Sequence, residues 1–405
     1  MTQNISPLCR VSGFRAVGVT CGLKKSGNPD IALVISNTPC VAAAVFTKNV
    51  FKAAPVMYDA ALLERTSHLH GVIINAGNAN AVTGAQGLVD AARMAQLTEE
   101  ACGLPVDSIF VMSTGVIGEP LAMDKVALGV QLAVHSIATE AGRRGDNASQ
   151  AIMTTDLVPK EAFAQVDIGG ATISLGGMAK GSGMIHINMG TMLSVIATDA
   201  AISPAALTAA LRQAVARTFN RVTVDGDTST NDTLLILASG QAGNPPIELN
   251  SPEFTAFTAA LTQLSTHLAR AIARDGEGAT KLVEITVSGA VSETEAEQAA
   301  KTVATSPLVK TAIFGSDPNW GRILAAIGRA EVHVDPALVS LRLGHFLLLE
   351  NGEPQPFDAI AANHWLASVT EIQVMVDLGV GSAQATVWTC DLSYKYVEIN
   401  AEYHT

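Results

Sequence analysis

A threonine directly follows a glycine in the run NMGTMLSVIATDA, at Gly190–Thr191, where a glycine-rich polar loop gives way to an apolar stretch fit for a buried strand. A threonine hydroxyl is a weak nucleophile unless a base lies beside it. One way to supply the base is to make the threonine the first residue of a chain, so that its own amine takes the proton. A free α-amine has a pKa of about 7.7–8.0 and is partly unprotonated at neutral pH, unlike a lysine ammonium. Here the amine exists only if the Gly190–Thr191 bond is cut. Glycine before the cut suits this, because it tolerates the strained backbone from which the hydroxyl attacks the preceding carbonyl. From these residues alone, an ordinary strand-initiating threonine is the simpler reading.

A second candidate is MSTGVIG, in which Thr114 and Gly115 follow an apolar strand. A hydroxyl beside an unencumbered backbone N–H can aim two donors at a developing oxyanion. A strand end closed by Thr and Gly explains the same residues equally well. The acidic run TVDGDTSTNDT gathers Asp225, Asp227 and Asp232, but its glycine falls second and no glutamate closes it, so it is not a calcium loop. It reads first as a turn in which aspartates accept backbone N–H bonds. INAGNANAVTG and DPNWGR read as structured turns. The motifs of zinc proteases, phosphate-binding loops, serine-hydrolase elbows and dinucleotide folds are absent. His68 and His70 lie close together without other ligands at metal-binding spacing, so no metal is expected.

These residues need a scaffold. The chain has 405 residues, 48% apolar and 15% charged, with 34 glycines against 4% aromatics, which fits close-packed layers of small aliphatic side chains in an α/β or α+β enzyme. The formal charge of −12 disfavours nucleic acid and anionic membranes as partners and leaves small molecules and proteins. Cys9, Cys21, Cys40, Cys102 and Cys390 are scattered and odd in number, which fits a reducing cytoplasm better than a disulfide framework. Neither a secretory signal nor a membrane-spanning run of about 18 apolar residues is visible.

IALVI (31–35), GVIINAG (71–77) and SIFVMSTG (108–115) end in glycine or polar clusters, as buried strands do. Between them, residues 85–101 read as a helix with Leu88, Ala91, Ala92 and Ala95 on its inner face, stopped by Gly103. Ser203-Pro204 and Ser251-Pro252 each place an N-cap before a proline at the first helical position. After the second, Phe254, Phe257, Leu261, Leu264, Leu268 and Ile272 form one apolar stripe. Ser292 with Glu295 reads as a capping box. A smaller second unit is expected from about residue 280, where KLVEITVSG begins a strand–helix–strand pattern.

Taken together and in order, NAGNANAVTG, MSTGVIG, AIMTTD, GGMAKGSGMI, NMGTMLSVIATDA, DTSTNDT, DGEGATKL, SPLVKTAIFGSDPNWGR and the terminal YVEINAEYHT resemble the ornithine acetyltransferase family, the bifunctional glutamate N-acetyltransferases of arginine biosynthesis, over nearly the whole chain. The resemblance implies mixed α/β layers of N-terminal-nucleophile type, shared with the L-aminopeptidase D-esterases. It implies self-cleavage before Thr191 into an α chain (1–190) and a β chain (191–405) that pair into a heterotetramer of two α and two β chains. Thr191 then both cuts the chain and carries the acetyl group. Thr114 and Gly115 match the family's oxyanion pair, and Thr154, Lys180, Glu277, Asn400 and Thr405 match its substrate-binding positions, with Thr155 a neighbouring alternative to Thr154. In that reading Lys180 offers a cation to a substrate carboxylate and Glu277 faces a substrate ammonium.

The implied reaction moves acetyl from N-acetylornithine to Thr191 and on to glutamate, without a resident cofactor and with acetyl-CoA as a conceivable second donor. Two departures stand out: Gly190 where the family has alanine, and His186-Ile187 where it has small residues or proline. His186 is expected to be simply exposed. The alternatives are a self-cleaved threonine amidohydrolase or acyltransferase acting on another amine, and an uncleaved binding protein on the same fold.

Overall fold

The computed structural model describes residues 5–186 and 192–402. In chain order the described strands are β1 (Phe14–Val19), β2 (Ile31–Phe46), β3 (His68–Asn78), β4 (Ile109–Val116), β5 (Lys160–Ile168), β6 (Ala171–Lys180), β7 (Ile185–His186), β8 (Leu193–Thr198), β9 (Thr223–Thr228), β10 (Thr233–Ala238) and β11 (Leu282–Ala290), followed by β12 (Ser340–Leu343), β13 (Phe346–Glu350), β14 (Glu353–Pro354), β15 (Glu371–Asp377) and β16 (Ala383–Cys390).

An eight-stranded sheet takes the order β4-β3-β2-β10-β8-β6-β5, with β1 paired to β2 off that path. Its central strands β8 and β10 are buried along their whole length, and read as unbroken apolar runs because both faces of the sheet are covered. Leu207 and Leu211 of the helix Pro204–Arg217, with Leu261, Leu264 and Leu268 of the helix Pro252–Arg274, pack on Ile173, Leu175, Ile196 and Leu234. Toward the β3–β4 end, Met94, Val126 and Val130 pack on Leu33, Ile73 and Val111. The alternating residues of the same strands, Val34, Ile74, Val195 and Leu235, point the other way and meet Leu8 and Leu62. The result is a mixed α/β layered fold.

A second, six-stranded sheet begins at Leu282 and takes the order β14-β13-β12-β15-β11-β16. Val283, Ile285, Val374 and Val376 form its core with Ala299 and Val303 of the helix Glu293–Ala304 and with Ile323 and Ile327. It is not isolated from the first sheet, since Leu282, Trp388 and Cys390 are buried in the same cluster as the helix Pro252–Arg274.

β6 and β8, which lie before and after residues 187–191, are neighbours in the large sheet. β6 and β8 run antiparallel with Lys180 opposite Leu193, and β10 is inserted between β8 and β2. Two strands from after that junction, β10 and β8, are therefore held side by side between strands from before it, β2 and β6, in one sheet.

Several local expectations differ from what the sequence suggested. The helix Gly84–Cys102 ends at a left-handed Gly103, but its inner face is Gly87, Ala91, Met94, Ala95 and Thr98, while Leu88 and Ala92 are exposed. The first turn lies so close to the Asn80–Thr83 loop that a Cβ on Gly87 would stand 2.0 Å from Thr83 Oγ1, so a glycine occupies the inner position and rotates the stripe. Ser251 caps its helix through its hydroxyl, accepting from Phe254 N at 3.1 Å, whereas Ser203 makes no side-chain cap and only its carbonyl accepts from Leu207 N. The capping box at Ser292 is half closed: Ser292 Oγ accepts from Glu295 N, but the Glu295 carboxylate turns to His333. His186 is partly buried rather than exposed, with Nδ1 3.1 Å from Thr223 Oγ1, because β7 pairs with β9.

Candidate active site

Three segments converge where β4 and β6 end. Lys180, the last residue of β6, is buried and donates from Nζ to Thr154 Oγ1 at 2.8 Å and to Thr114 Oγ1 at 3.3 Å. Thr114 and Gly115 sit at the end of β4 against the irregular end of β3 at Gly77 and Asn78. Gly115 has φ +134°, and a Cβ there would lie 2.3 Å from the Gly77 carbonyl carbon and 2.5 Å from Asn78 N. Only glycine fits, which leaves its N–H beside the Thr114 hydroxyl without a side chain in the way.

The asparagine-rich loop holds this corner. Asn75 Oδ1 accepts from Ser113 Oγ at 2.6 Å, and Asn231 Nδ2 donates to the carbonyls of Ser113 (2.8 Å) and Ala79 (2.6 Å). Residues that read as turn formers in the sequence are thus cross-braces behind Thr114.

The acidic side comes from the later part of the chain. Glu277 is buried, its N–H donates to the Ser182 carbonyl at 3.0 Å, and its Oε2 accepts from Asn400 Nδ2 at 2.7 Å. Gly183 packs flat against it: a Cβ there would fall 2.3 Å from the Glu277 carboxylate. Asp225 accepts from the N–H groups of Met184 (2.7 Å), Ile185 (2.9 Å) and Asp227 (3.1 Å). The backbone-accepting role expected of this aspartate therefore holds, though within strand β9 rather than in a turn. Burial first, then the charges of Asp225 and Glu277, hold the Tyr396 phenol protonated well above its ordinary range.

These groups enclose a cavity of about 140 Å³. Among its described lining residues Lys180 is the one basic side chain, facing the carboxylates of Asp225, Asp227, Asp232 and Glu277, with apolar contributions from Ile117, Met184, Ile185, Met192 and Leu193. Burial pulls the Lys180 ammonium below its usual pKa, and neighbouring Lys160 adds to this against the pull of Asp156. Burial works against the Asp156 carboxylate too, but Lys180 and Lys160 outweigh it and hold its pKa at about 2. A cation, two hydroxyls and several carboxylates around so small a space suit a zwitterionic metabolite.

Thr114, Gly115, Thr154, Lys180, Glu277 and Asn400 all line this one cavity, and Thr155 lines it as well, with Thr154 making the bond to Lys180. Gly190, Thr191 and Thr405 lie outside the described residues. Met192 and Leu193, which follow Thr191 in the chain, are on the cavity wall. His186 lines a different cleft, with Arg217, Arg221 and Lys301, and burial keeps its imidazole below the ordinary pKa. Sequence reasoning missed Gly183, Tyr396 and Asp156, although they stand inside the GGMAKGSGMI, YVEINAEYHT and AIMTTD stretches. Among the described residues no group of three or more His, Cys, Asp or Glu is arranged to hold a metal ion.

The chain matches the model of the ArgJ family over residues 15–405. It is 50% identical over 396 residues to a protein named arginine biosynthesis bifunctional protein ArgJ from Symbiobacterium thermophilum, an alignment covering 97% of each chain. It is 47% identical over 401 residues to the protein of the same name from a Synechococcus species, covering 97% of this chain and 96% of the relative. Among solved structures, the crystal structure of the ArgJ protein from Bacillus halodurans superposes with a TM-score of 0.51 at 44% identity, covering 53% of this chain and 100% of that one.

Proposed function

The chain belongs to the ArgJ family of arginine-biosynthesis acetyltransferases, and on that premise we propose that it transfers acetyl from N-acetylornithine to glutamate through an acetyl ester on Thr191. The observation that carries this reading is the cavity itself, in which the Thr114 hydroxyl and Gly115 N–H stand beside a buried ammonium and a carboxylate set, next to the residues that follow Thr191.

The chemistry runs in two halves. The α-amine of a freed Thr191 takes the proton as its hydroxyl attacks the acetyl carbonyl, Thr114 and Gly115 donate to the oxyanion, and ornithine leaves as the amine. Glutamate then attacks the ester in the reverse sense and departs as N-acetylglutamate, giving ping-pong kinetics. Lys180 anchors the substrate carboxylate, and Glu277, held by Asn400, faces an ammonium. Thr154 helps to fix Lys180, and Thr405 completes the binding set. The same acetyl-threonine can form from acetyl-CoA as a second donor, the free Thr191 hydroxyl taking the acetyl group and CoA leaving as its thiol, since a thioester is a more activated acyl donor than an amide.

Cleavage between Gly190 and Thr191 would leave pieces of 190 and 215 residues. Their association is supported by the β2–β10 and β6–β8 ladders, which cross from one piece to the other. The piece from Thr191 onward is 215 of 405 residues, 53% of the chain, the same share that the whole Bacillus halodurans chain covers. We assign the pair of pieces to a heterotetramer of two α and two β chains in the cytoplasm. No helix among the described residues is long and apolar enough to cross a membrane.

The test is mass spectrometry of the purified protein after brief exposure to N-acetylornithine. Two fragments are expected, with the acetyl group on the fragment that begins at Thr191, and Thr191→Ala should give one uncut, unacetylated chain. An intact chain that transfers acetyl at full rate, or an adduct on any other residue, overturns the proposal.

A further inference from the structure

Beneath the cavity lies a buried charge cluster that the transfer chemistry does not touch directly. Lys160, at the start of β5, is 2% exposed and donates from Nζ to Asp156 Oδ1 and to Asp275 Oδ2, each at 2.6 Å. Each carboxylate then holds backbone from the site. Asp156 Oδ1 also accepts from Gly181 N at 2.7 Å, the residue after Lys180, and its Oδ2 accepts from Thr154 N at 3.0 Å. Asp275 Oδ2 accepts from Leu157 N at 3.0 Å, and its carbonyl accepts from Ser182 Oγ at 2.7 Å. Ser182 returns the tie through its carbonyl to Glu277 N. One ammonium thus joins the three segments that carry Thr154, Lys180 and Glu277.

We propose that Lys160, Asp156 and Asp275 form a positioning hub for the transfer, and that Asp156 and Lys160 act in opposite senses on the charge of Lys180. This rests on the proposed acetyl transfer only for its functional consequence.

A buried ammonium with apolar surroundings tends to lose its proton, and a carboxylate beside it resists that loss. Lys180 donates to two hydroxyl oxygens, Thr114 Oγ1 and Thr154 Oγ1. With a third N–H available, it can also reach a substrate carboxylate. By donating to Thr114 Oγ1 it leaves the threonine proton free to point at the oxyanion. A neutral amine would have one donor fewer and could take the Thr114 proton instead. The charge on Lys180 therefore matters to two steps, and Asp156 is the first of the neighbours that support it. The other charged groups around Lys180 are Lys160, Asp232 and Glu277, and its charge is also felt by Lys24. Lys24 is itself drawn down to about 8, chiefly by burial.

A purely mechanical brace and a charge-setting hub make different predictions for two variants that each remove one charge. Asp156→Asn keeps an acceptor for Gly181 or Thr154 and removes a negative charge. Lys160→Gln removes a positive one. The experiment measures the reactivity of Lys180 toward acetic anhydride against pH, read by peptide mass spectrometry in otherwise wild-type protein. In Asp156→Asn the titration of Lys180 moves down by about one pH unit, and in Lys160→Gln it moves up. The high-pH limb of kcat/KM for acetyl transfer moves in the same two directions. Shifts of the same sign in both variants, or none in either, overturn the inference. If one variant fails to fold, the sign in the other decides alone. The labelling does not depend on which substrate the enzyme uses, so a failure of acetyl transfer in the wild type would sink the functional reading without touching this one.

Discussion

Gly115→Ala is the sharpest single perturbation of the proposed oxyanion pair, because the structure fixes what the added methyl meets. The new Cβ would lie 2.3 Å from the Gly77 carbonyl carbon and 2.5 Å from Asn78 N, both backbone atoms that no rotamer change can move aside. Carbon atoms in contact normally stand about 3.5–4.0 Å apart, so Gly115 must retreat by roughly 1 Å or more. A hydrogen bond of about 2.9 Å stretched by that much is no longer one. The φ of +134° adds strain of order 1–3 kcal/mol for any residue with a side chain. Losing one oxyanion donor costs on the order of 10²–10³ in kcat, or about 3–4 kcal/mol. The assay is rapid-quench mass spectrometry of acetyl-enzyme formation with N-acetylornithine, run on protein incubated until chain cleavage is complete, since the same donors serve the cut. Thr114→Ser keeps the hydroxyl and is the control, expected within about tenfold of wild type. An alanine variant that folds, is cut, and acetylates at the wild-type rate would refute the oxyanion role of this N–H.

Gly183→Ala would push a methyl to 2.3 Å from the Glu277 carboxylate, so the displaced acid should weaken binding of the amine substrate. Loss of one charge-assisted hydrogen bond, about 1.5–3 kcal/mol, predicts a KM for N-acetylornithine raised by ten- to a hundredfold with a smaller change in kcat. An unchanged KM in steady-state kinetics would remove Glu277 from ammonium recognition. Asp156 predicts a pH effect on stability. Its carboxyl is held at about 2 in the folded protein against an ordinary 3.8, a depressed value, so the stabilisation is complete above about pH 4 and is lost as pH falls through 2. The contribution is on the order of 2 kcal/mol. Urea midpoints measured from pH 5 to pH 2 should fall more steeply in the wild type than in Asp156→Asn, and parallel curves would contradict the assignment.

The local elements were readable where a single stretch of chain carries its own reason. The helix Pro252–Arg274 announces itself through Ser251-Pro252 and an apolar stripe from Phe254 to Ile272, every member of which is buried. Gly103 ends its helix in the left-handed conformation that the residue type favours. What could not be read depends on partners far along the chain. Leu88 looks like a core residue until the Asn80–Thr83 loop is seen to pack on Gly87, which turns the inner face that way and leaves Leu88 in solvent. Lys160 is a charged residue near a turn by any sequence rule, and its burial makes sense only once Asp275, 115 residues away, comes to meet it. Thr114, Gly115, Thr154, Lys180, Glu277 and Asn400 were legible as cavity residues through the family resemblance. Gly183 and Tyr396 lie within the same stretches of sequence but were not, since nothing in their own type or spacing distinguishes a cavity wall from a loop.

The sheet order bears on why such a site would be made in one piece and then divided, as the proposed cut before Thr191 requires. Thr114, Thr154 and Lys180 precede the junction, whereas Asp225, Glu277 and Asn400 follow it, so neither part holds the cavity by itself. The strands interleave in the same way, with β10 from the later part lodged between β2 and β8, and β8 itself paired to β6. Two separate chains would have to find this arrangement by association, with the loss of translational freedom that docking entails. A continuous chain replaces that loss with the closure of a short connection between Lys180 and Leu193, which already face each other in register. Once the ladders and the helices over them are formed, the link between the parts contributes little to stability, and the proposed cut would convert a covalent tether into a nucleophile.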